Sequence, residues 1–331
     1  MSVMTSPGRP SLARRAARLR RQLTFDRVSF FAVFLGLPVV IFAIFVLSPE
    51  IQALYFGMTD WRGFTPDMNF VGFENYVHML SDDKFMISLR NSTLLVVCVP
   101  TITLVLAFAI ASAVTTGGGS IGRVEGLKGG GFHRVVSFFT YTVPAIVIGL
   151  IWAQVFDPSR GLLNGILTAV GLEQFKGFAW IGQAATAMPA SMFVIIWSFV
   201  GFYTVLFVAA IKGIPAETYE AARIDGAGRF RMAIAITLPQ IADTVRTAYI
   251  YLGLAAIDAF VYMQAMNPQG GPNFSTITMS QNLYMEAFRG GNFGYATAIG
   301  VVLAAVTMAY AGIIFLIFRL LRGRDDQARA S

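Results

Sequence analysis

Six stretches of the chain are nearly free of polar residues, and each is long enough to cross a bilayer as a helix. They cover approximately 29–49, 91–114, 135–156, 187–211, 242–266 and 294–318. At about 1.5 Å per residue, a helix needs roughly 20 residues to cross a hydrocarbon core of about 30 Å. A strand in lipid would leave its edge amides unpaired, so these runs predict helices. The expected fold is all-α: a polytopic membrane protein of six transmembrane helices, with a pair of cytoplasmic helices between the fourth and fifth. The segments 58–88, 157–186 and 267–293 are rich in Gly, Pro, Asn and aromatic residues. They are too short for a domain and predict loops and short surface helices.

Orientation follows from the basic residues between the runs. With the N-terminus in the cytoplasm, the inner segments hold 19 Lys and Arg and the outer segments 6. That asymmetry places both termini inside. It divides the chain into a basic cytoplasmic tail over 1–28, a membrane domain over 29–321 and a cytoplasmic tail over 322–331. The first run is longer than the apolar part of a signal peptide, about 7–15 residues. It is followed by Ser48-Pro49-Glu50 rather than a small-x-small cleavage site, so an uncleaved helix is expected.

Composition agrees with lipid as the main solvent. Of 331 residues, 56% are hydrophobic and 13% charged, against about 25% charged in soluble domains. The net charge of +7 does not indicate nucleic acid. Seven arginines, Arg9 through Arg27, precede the first apolar run, a pattern that suits anionic lipid headgroups. Cys98 is the only cysteine, and His78 and His133 are far apart. Neither a disulfide nor a metal-ligand spacing is available. The glycine-rich stretch 115–131 contains Gly117 and Gly122 at phosphate-loop spacing, but Arg123-Val124 stands where Lys and a hydroxyl residue are required. It is expected to be a flexible linker.

The informative segment lies between the fourth and fifth runs. Gly213-Ile214-Pro215-Ala216-Glu217-Thr218-Tyr219-Glu220-Ala221-Ala222-Arg223-Ile224-Asp225-Gly226-Ala227 predicts a short helix. Pro215 suits its first position, Glu217 its positive end, and Asp225-Gly226 its stop. Ala221 and Ala222 keep one side narrow, and Glu220 makes it acidic. Such a helix could seat in a groove of another protein or lie on the membrane surface, and helix physics leaves both open.

Glu220-Ala221-Ala222, Asp225-Gly226-Ala227 and the later Leu238-Pro239 resemble the EAA signature of ABC importer permeases. The resemblance extends from about residue 29 to 321. Arg90-Asn91, then Trp152, Asp157-Pro158, Gly161 and Asn164, and finally Gly270-Gly271-Pro272 through Phe293-Gly294-Tyr295-Ala296 are similar to patterns of the carbohydrate branch, in particular of its first permease subunit. Ala107 stands where that family usually has glycine, and the glycine-rich stretch is longer than usual. The resemblance implies that Glu220–Pro239 docks on an ATPase dimer that binds ATP and Mg²⁺. It implies no cofactor in this chain. It also implies a second, homologous permease subunit and an extracytoplasmic solute-binding protein. Thr278-Met279-Ser280-Gln281-Asn282-Leu283-Tyr284 resembles importers of N-acetylglucosamine or chitobiose.

The expected substrate is a mono- or oligosaccharide; glycerol 3-phosphate or another polar solute is the alternative. A membrane-bound enzyme or scaffold is a third class, but no cluster of catalytic residues favours it. For the pathway, Tyr251, Asp258 and Tyr262 of the fifth run fall within a narrow stripe on one helix face at about 100° per residue. A carboxylate within lipid faces a cavity or a partner, and aromatic rings beside it suit a sugar. The competing reading is interfacial tyrosines with an Asp paired to a neighbouring helix. Ala296, Gly300 and Ala304 form a small-residue stripe expected to pack rather than bind, with the second subunit one candidate partner.

Overall fold

The computed structural model describes residues 29–65, 67–115 and 140–330, the last ten by backbone alone. The basic tail 1–28, the glycine-rich residues 116–131 and His133 lie outside the described residues. Those described are helices and loops, with one isolated antiparallel bridge between Thr59 and Phe70. The chain divides into two units after Tyr55.

Helix α1 spans Ser29–Phe56 and makes up the described part of the first unit up to Tyr55; it is apolar on every face from Phe30 to Leu47, with Ser48, Glu50 and Gln52 following. It contains two widened, π-helical turns, Ala32–Gly36 and Ala43–Leu47. Each ends two residues before a proline, Pro38 and Pro49. Proline has no N–H to give to the carbonyl four residues back, and the helix opens locally around the missing bond.

The second unit is built on α3, Asp83–Thr115, and α6, Ala184–Lys212. Short helix α2, Glu74–Ser81, precedes α3. Between α3 and α6 stand α4, Ala145–Val155, and α5, Leu162–Ala169. After α6 come α7, Ala216–Ile224, and α8, a helical stretch made of Arg229–Arg231, Met232–Thr237 and Leu238–Gln240. Then follow α9, Ala242–Ile257; α10, Phe260–Met266; α11, Met279–Phe288; and α12, Phe293–Ala330. The helix therefore continues through most of the expected C-terminal tail.

Among the described residues, four helices, α1, α3, α6 and the apolar part of α12, are long and apolar enough to span a bilayer. The fifth expected span is a pair, α9 and α10, bent by 45°. The third is represented by the 11 residues of α4; 135–139 of that run lie outside the described residues. The break follows Ile257, where Asp258 and Ala259 leave helical geometry.

Helix α3 is the centre of the core. Leu95, Val99, Leu104, Ala107 and Ala111 pack with Ile195, Tyr203, Phe207 and Ile211 of α6, and with Ala248, Leu252 and Ala256 of α9. Lipid tails are as apolar as these side chains, so close van der Waals fit rather than water exclusion holds the helices together. Ala107 is wholly buried in that contact, where a small residue is required. On α12, Ala296 is buried and Gly300 lies against Leu283 of α11. The small-residue stripe thus packs on the chain's own helix at that point. The start of α12 also needs its glycine: a Cβ on Gly294 would strike the Thr59 carbonyl, while its N–H bonds Trp61 O at 2.9 Å.

Loop 267–278 joins the ends of several helices. Asn91, 1% exposed, donates to Ser275 O and Ile277 O, both at 3.0 Å. Ser92 accepts from Met279 N at 3.0 Å. Asn267 donates to Ser191 of α6 at 2.7 Å, and Gln281 of α11 donates to Asn267 O at 3.2 Å. These bonds hold a loop in which Gln269, Asn273 and Phe274 all take left-handed backbone angles, a conformation that costs about 1–2 kcal/mol per residue. Asn91→Leu leaves the buried Ile277 carbonyl and the half-buried Ser275 carbonyl without this donor and should lower stability by about 1–3 kcal/mol. Thermal unfolding in detergent reads this directly; an unchanged midpoint would show that the loop is held by other means.

Candidate functional site

The segment between α6 and α9 forms a compact helical pair. Pro215, in extended geometry, caps α7 and does not occupy its first turn; its carbonyl accepts from Thr218 N at 3.2 Å. The other end closes by a specific stop. Gly226 N bonds Arg223 O at 3.0 Å and Ala227 N bonds Ala222 O at 2.9 Å, with Gly226 at φ +75°. That is the Schellman arrangement, which needs a left-handed residue after the helix and favours glycine there. Asp225-Gly226-Ala227 therefore terminates the helix mechanically, and Ala227 packs back on the core.

The two faces of α7 differ. Tyr219 and Ala222 are buried against the bundle, beside Ile214, Met232 and Ile241. The Tyr219 hydroxyl pairs with Thr237 Oγ1 of α8 at 3.0 Å, and Thr237 donates to Met232 O at 3.1 Å. Burial pushes the Tyr219 phenol above its ordinary pKa, with the Thr237 hydrogen bond acting the other way. On the opposite arc, Ala221 is exposed and Glu220 half-buried. Ala222 thus serves inward packing, whereas Ala221 is the narrow position turned outward. Asp225 and Pro239 are exposed and Leu238 is half-buried. Pro239 again follows a widened turn, Met232–Thr237, as in α1.

Two exposed apolar residues flank the stop. Ile224 is 87% and Phe230 is 82% exposed. Sequence reasoning passed over both, although a signal was present: at 100° per residue, Ile224 shares the arc of Glu220 and Ala221. The exposed face is therefore acidic at Glu217 and Glu220, narrow at Ala221 and apolar at Ile224. This combination suits a desolvated contact with a protein groove.

The expected pathway residues do not form a continuous stripe, because the bend between α9 and α10 interrupts it. Tyr251 and Asp258 are exposed, the latter where α9 ends. Tyr262 lies beyond the bend and turns to α6, its hydroxyl 3.0 Å from Ser198 Oγ and its ring 6.3 Å from that of Phe199. Other residues singled out in the sequence build loops. Asn164 donates to Phe178 O at 2.9 Å and accepts from Trp180 Nε1 at 2.7 Å. Asp157 accepts from the backbone of Ser159 and Arg160. No group of His, Cys, Asp and Glu suited to a metal occurs among the described residues.

Comparison with known proteins adds to this geometry. Residues 114–324 match the model of the family described as "Binding-protein-dependent transport system inner membrane component". The chain is 60% identical over 326 residues, 98% of its length and 92% of the relative's, to "Diacetylchitobiose uptake system permease protein NgcF" of Streptomyces coelicolor. It is 32% identical to "Probable ABC transporter permease protein YurN" of Bacillus subtilis, over 82% of this chain and 90% of that one. A crystal structure of a bacterial ABC transporter involved in the import of alginate shares the fold. Its TM-score is 0.74 at 21% identity, covering 91% of this chain and 98% of that chain.

Two outcomes test the helical pair itself. Gly226→Ala places a Cβ at φ +75° and should cost about 1 kcal/mol of stability, read by thermal unfolding. Because the folded-state pKa of Tyr219 is raised, its contribution is fully present below the ordinary tyrosine value of about 10 and is lost as pH rises through the folded value. In Tyr219→Phe the fall in unfolding midpoint between pH 9 and 11 (about one unit either side of that value) should be smaller than in the unaltered chain. Equal falls would mean that Tyr219 does not titrate on unfolding.

Proposed function

The chain belongs to the binding-protein-dependent transport system inner membrane components, and from that premise we propose that it carries an N-acetylated oligosaccharide of the chitobiose class into the cytoplasm. The single observation that carries the substrate class is 60% identity, along 98% of the chain, to a permease named for diacetylchitobiose uptake. Glycerol 3-phosphate is a poorer fit. A phosphate in a low-dielectric pathway needs a cation, yet α6 has no Lys or Arg before Lys212 and α10 has none. In α9, Arg246 is already paired with Asp243 at 3.1 Å.

The machine that this reading requires has four further parts. A second, homologous permease completes the pathway, and an ATPase dimer supplies the energy. ATP and Mg²⁺ bind that dimer, since this sequence has no complete Walker motif. A solute-binding protein delivers the sugar from outside. Both termini face the cytoplasm, in keeping with 19 basic residues in the inner segments against 6 in the outer.

In this reading α7 is the lever. Its exposed arc, Glu220, Ala221 and Ile224, seats in a cleft of the ATPase, and Phe230 adds a second apolar contact. The buried Tyr219–Thr237 pair and the Schellman stop make α7 and α8 one rigid piece, continuous with the ends of α6 and α9. When the clefts close, the displacement passes into these helices. Two states that differ in affinity for ATP at one end and for the loaded binding protein at the other are thereby coupled. The sugar follows the exposed face that carries Tyr251 and Asp258.

Glu220→Lys or Ala221→Trp should reduce sugar uptake in proteoliposomes about tenfold or more, while insertion in the membrane stays normal; one unsatisfied interfacial charge costs about 2–5 kcal/mol. Normal uptake by both variants would refute the lever. Ile224→Asp with Phe230→Asp should lower the amount of ATPase that co-purifies with the permease, because apolar anchors at interface centres are worth about 1–3 kcal/mol each. Asp258→Ala should slow transport without affecting ATPase co-purification, and an unchanged transport rate removes Asp258 from the pathway.

A further inference from the structure

Helix α5 carries its polarity the wrong way round for a helix at a water surface. Its exposed residues are Leu162, Gly165, Ile166 and Ala169, with Val170 following at its end. At about 100° per residue these share one side of the helix. Leu162, Ile166 and Val170 are 63%, 53% and 69% exposed. The polar residues point the other way. Asn164 is buried and bonded to Phe178 O and Trp180 Nε1. Thr168 is half-buried and donates to Asn164 O at 2.8 Å. Leu163 packs inward, with Ile148 and Phe156. Within α5 no polar side chain is exposed. Helix α2 differs, since it exposes Glu74, His78 and Ser81 beside Val77 and Leu80. A helix that meets water turns its polar side out, and α5 does the reverse.

The level of α5 is set by α6. The 29 residues of α6 run about 43 Å at 1.5 Å per residue, which matches a bilayer with its headgroups, about 40–45 Å. With Lys212, exposed at the last residue, at one headgroup level, the first turn of α6 reaches the other. Helix α5 is tied to that turn through two bonds. Thr186 donates to Trp180 O at 2.7 Å, and the Trp180 indole donates to Asn164 at 2.7 Å. The apolar stripe therefore lies where headgroups give way to acyl chains, at the end of α6 remote from α7.

Its surroundings suit that level. Exposed polar residues stand on both sides of the stripe, Arg160 before α5 and Glu173, Gln174 and Lys176 after it, in reach of lipid headgroups. Trp180, stacked on Phe175 at 5.3 Å, is of the residue type that concentrates at membrane–water boundaries. Helix α4, which leads into this region, exposes Ile146, Val147, Leu150 and Ile151, so the chain reaches α5 from an apolar surface.

We propose that α5 is an interfacial helix whose stripe, Leu162, Ile166 and Val170, is covered by lipid of the leaflet opposite α7. A soluble protein that binds and leaves is a poor occupant. Such interfaces are about as polar as the rest of a protein surface, and this stripe offers no hydrogen-bonding side chain. Lipid needs none. Through Asn164, Trp180 and Thr186 the membrane boundary then sets the depth of the loop between α4 and α6. The inference uses neither the sugar nor the lever assigned above.

The test reads directly what covers the stripe. A nitroxide label is placed at Ile166→Cys in the Cys98→Ser chain, assembled as the whole importer with cysteine-free partner subunits in lipid nanodiscs. Its collisions are measured with oxygen, which partitions into lipid, and with a water-soluble nickel chelate. The oxygen-to-chelate ratio should be about threefold or more above that of the same label at Gln174→Cys, as burial of about 5–10 Å at the headgroup–acyl boundary requires. If Ile166→Cys fails to assemble, Ala169→Cys on the same side gives the same reading. A ratio equal to that at Gln174→Cys puts the stripe in water and overturns the proposal. Low collision with both reagents overturns it too, because a neighbouring subunit then covers the stripe. Protection from both that arises only on adding the solute-binding protein assigns the stripe to that protein and is equally fatal. None of these readings requires transport, so their failure is distinct from a failure of the importer reading.

Discussion

Lipid cannot hydrogen-bond a peptide group, and the architecture is organised around that constraint. Backbone leaves helical geometry beside the bundle at Asp258–Ala259 and over loop 267–278. There the buried polar side chains concentrate. Asn91 and Ser92 reach from α3 and Gln281 from α11 to take up backbone groups that would otherwise cost about 1–3 kcal/mol each, while Ser191 of α6 accepts from the Asn267 side chain. Irregular backbone is tolerated in such a protein only where it is buried in protein or lines a cavity. The same bonds tie the starts of α3 and α6 to α10 and α11, so that these four ends form one piece.

At the opposite end a different device gives rigidity. Helix α7 is only nine residues long and could not persist alone in water. It persists because Tyr219 and Ala222 are set into the core, because Tyr219 grips Thr237, and because Gly226 allows a hydrogen-bonded stop. A lever needs this stiffness, since motion applied to a frayed helix would be lost in its own backbone. The residues left outward, Glu220, Ala221, Ile224 and, from α8, Phe230, are then free to specify a partner.

The signature of the segment thus mixes two kinds of requirement. Ala222, Gly226 and Ala227 answer to the chain's own packing and to the helix stop. Ala221, Glu220 and Ile224 are the ones that the proposed lever assigns to what lies outside. A motif defined by adjacency in sequence merges these roles, and only the azimuth around α7 separates them. Asn91, Asn164 and Gly294 each resemble a family position, and each holds a loop or admits a close backbone approach.

Much was legible from the sequence, for physical reasons. Apolar runs of about 20 residues can satisfy their backbone in lipid only as helices, so the spans over 91–114, 187–211 and 294–318 were readable as α3, α6 and α12. The helix at 216–224 followed from Pro215, the alanines and Gly226, all local preferences. What tertiary structure alone decided is whatever depends on neighbours distant in the chain. The bend after Ile257 breaks a stripe that is continuous in sequence, with Tyr262 set against Ser198 while Tyr251 and Asp258 are exposed. Ala222 faces inward because Met232 and Ile241 come round to meet it. Residues as far apart as Arg62, Lys84, Glu286 and Asn292 share one cleft because α3, α11 and α12 begin or end there. Local preference sets where a helix forms; packing sets which way each side chain points, and no periodicity in a single run can report that.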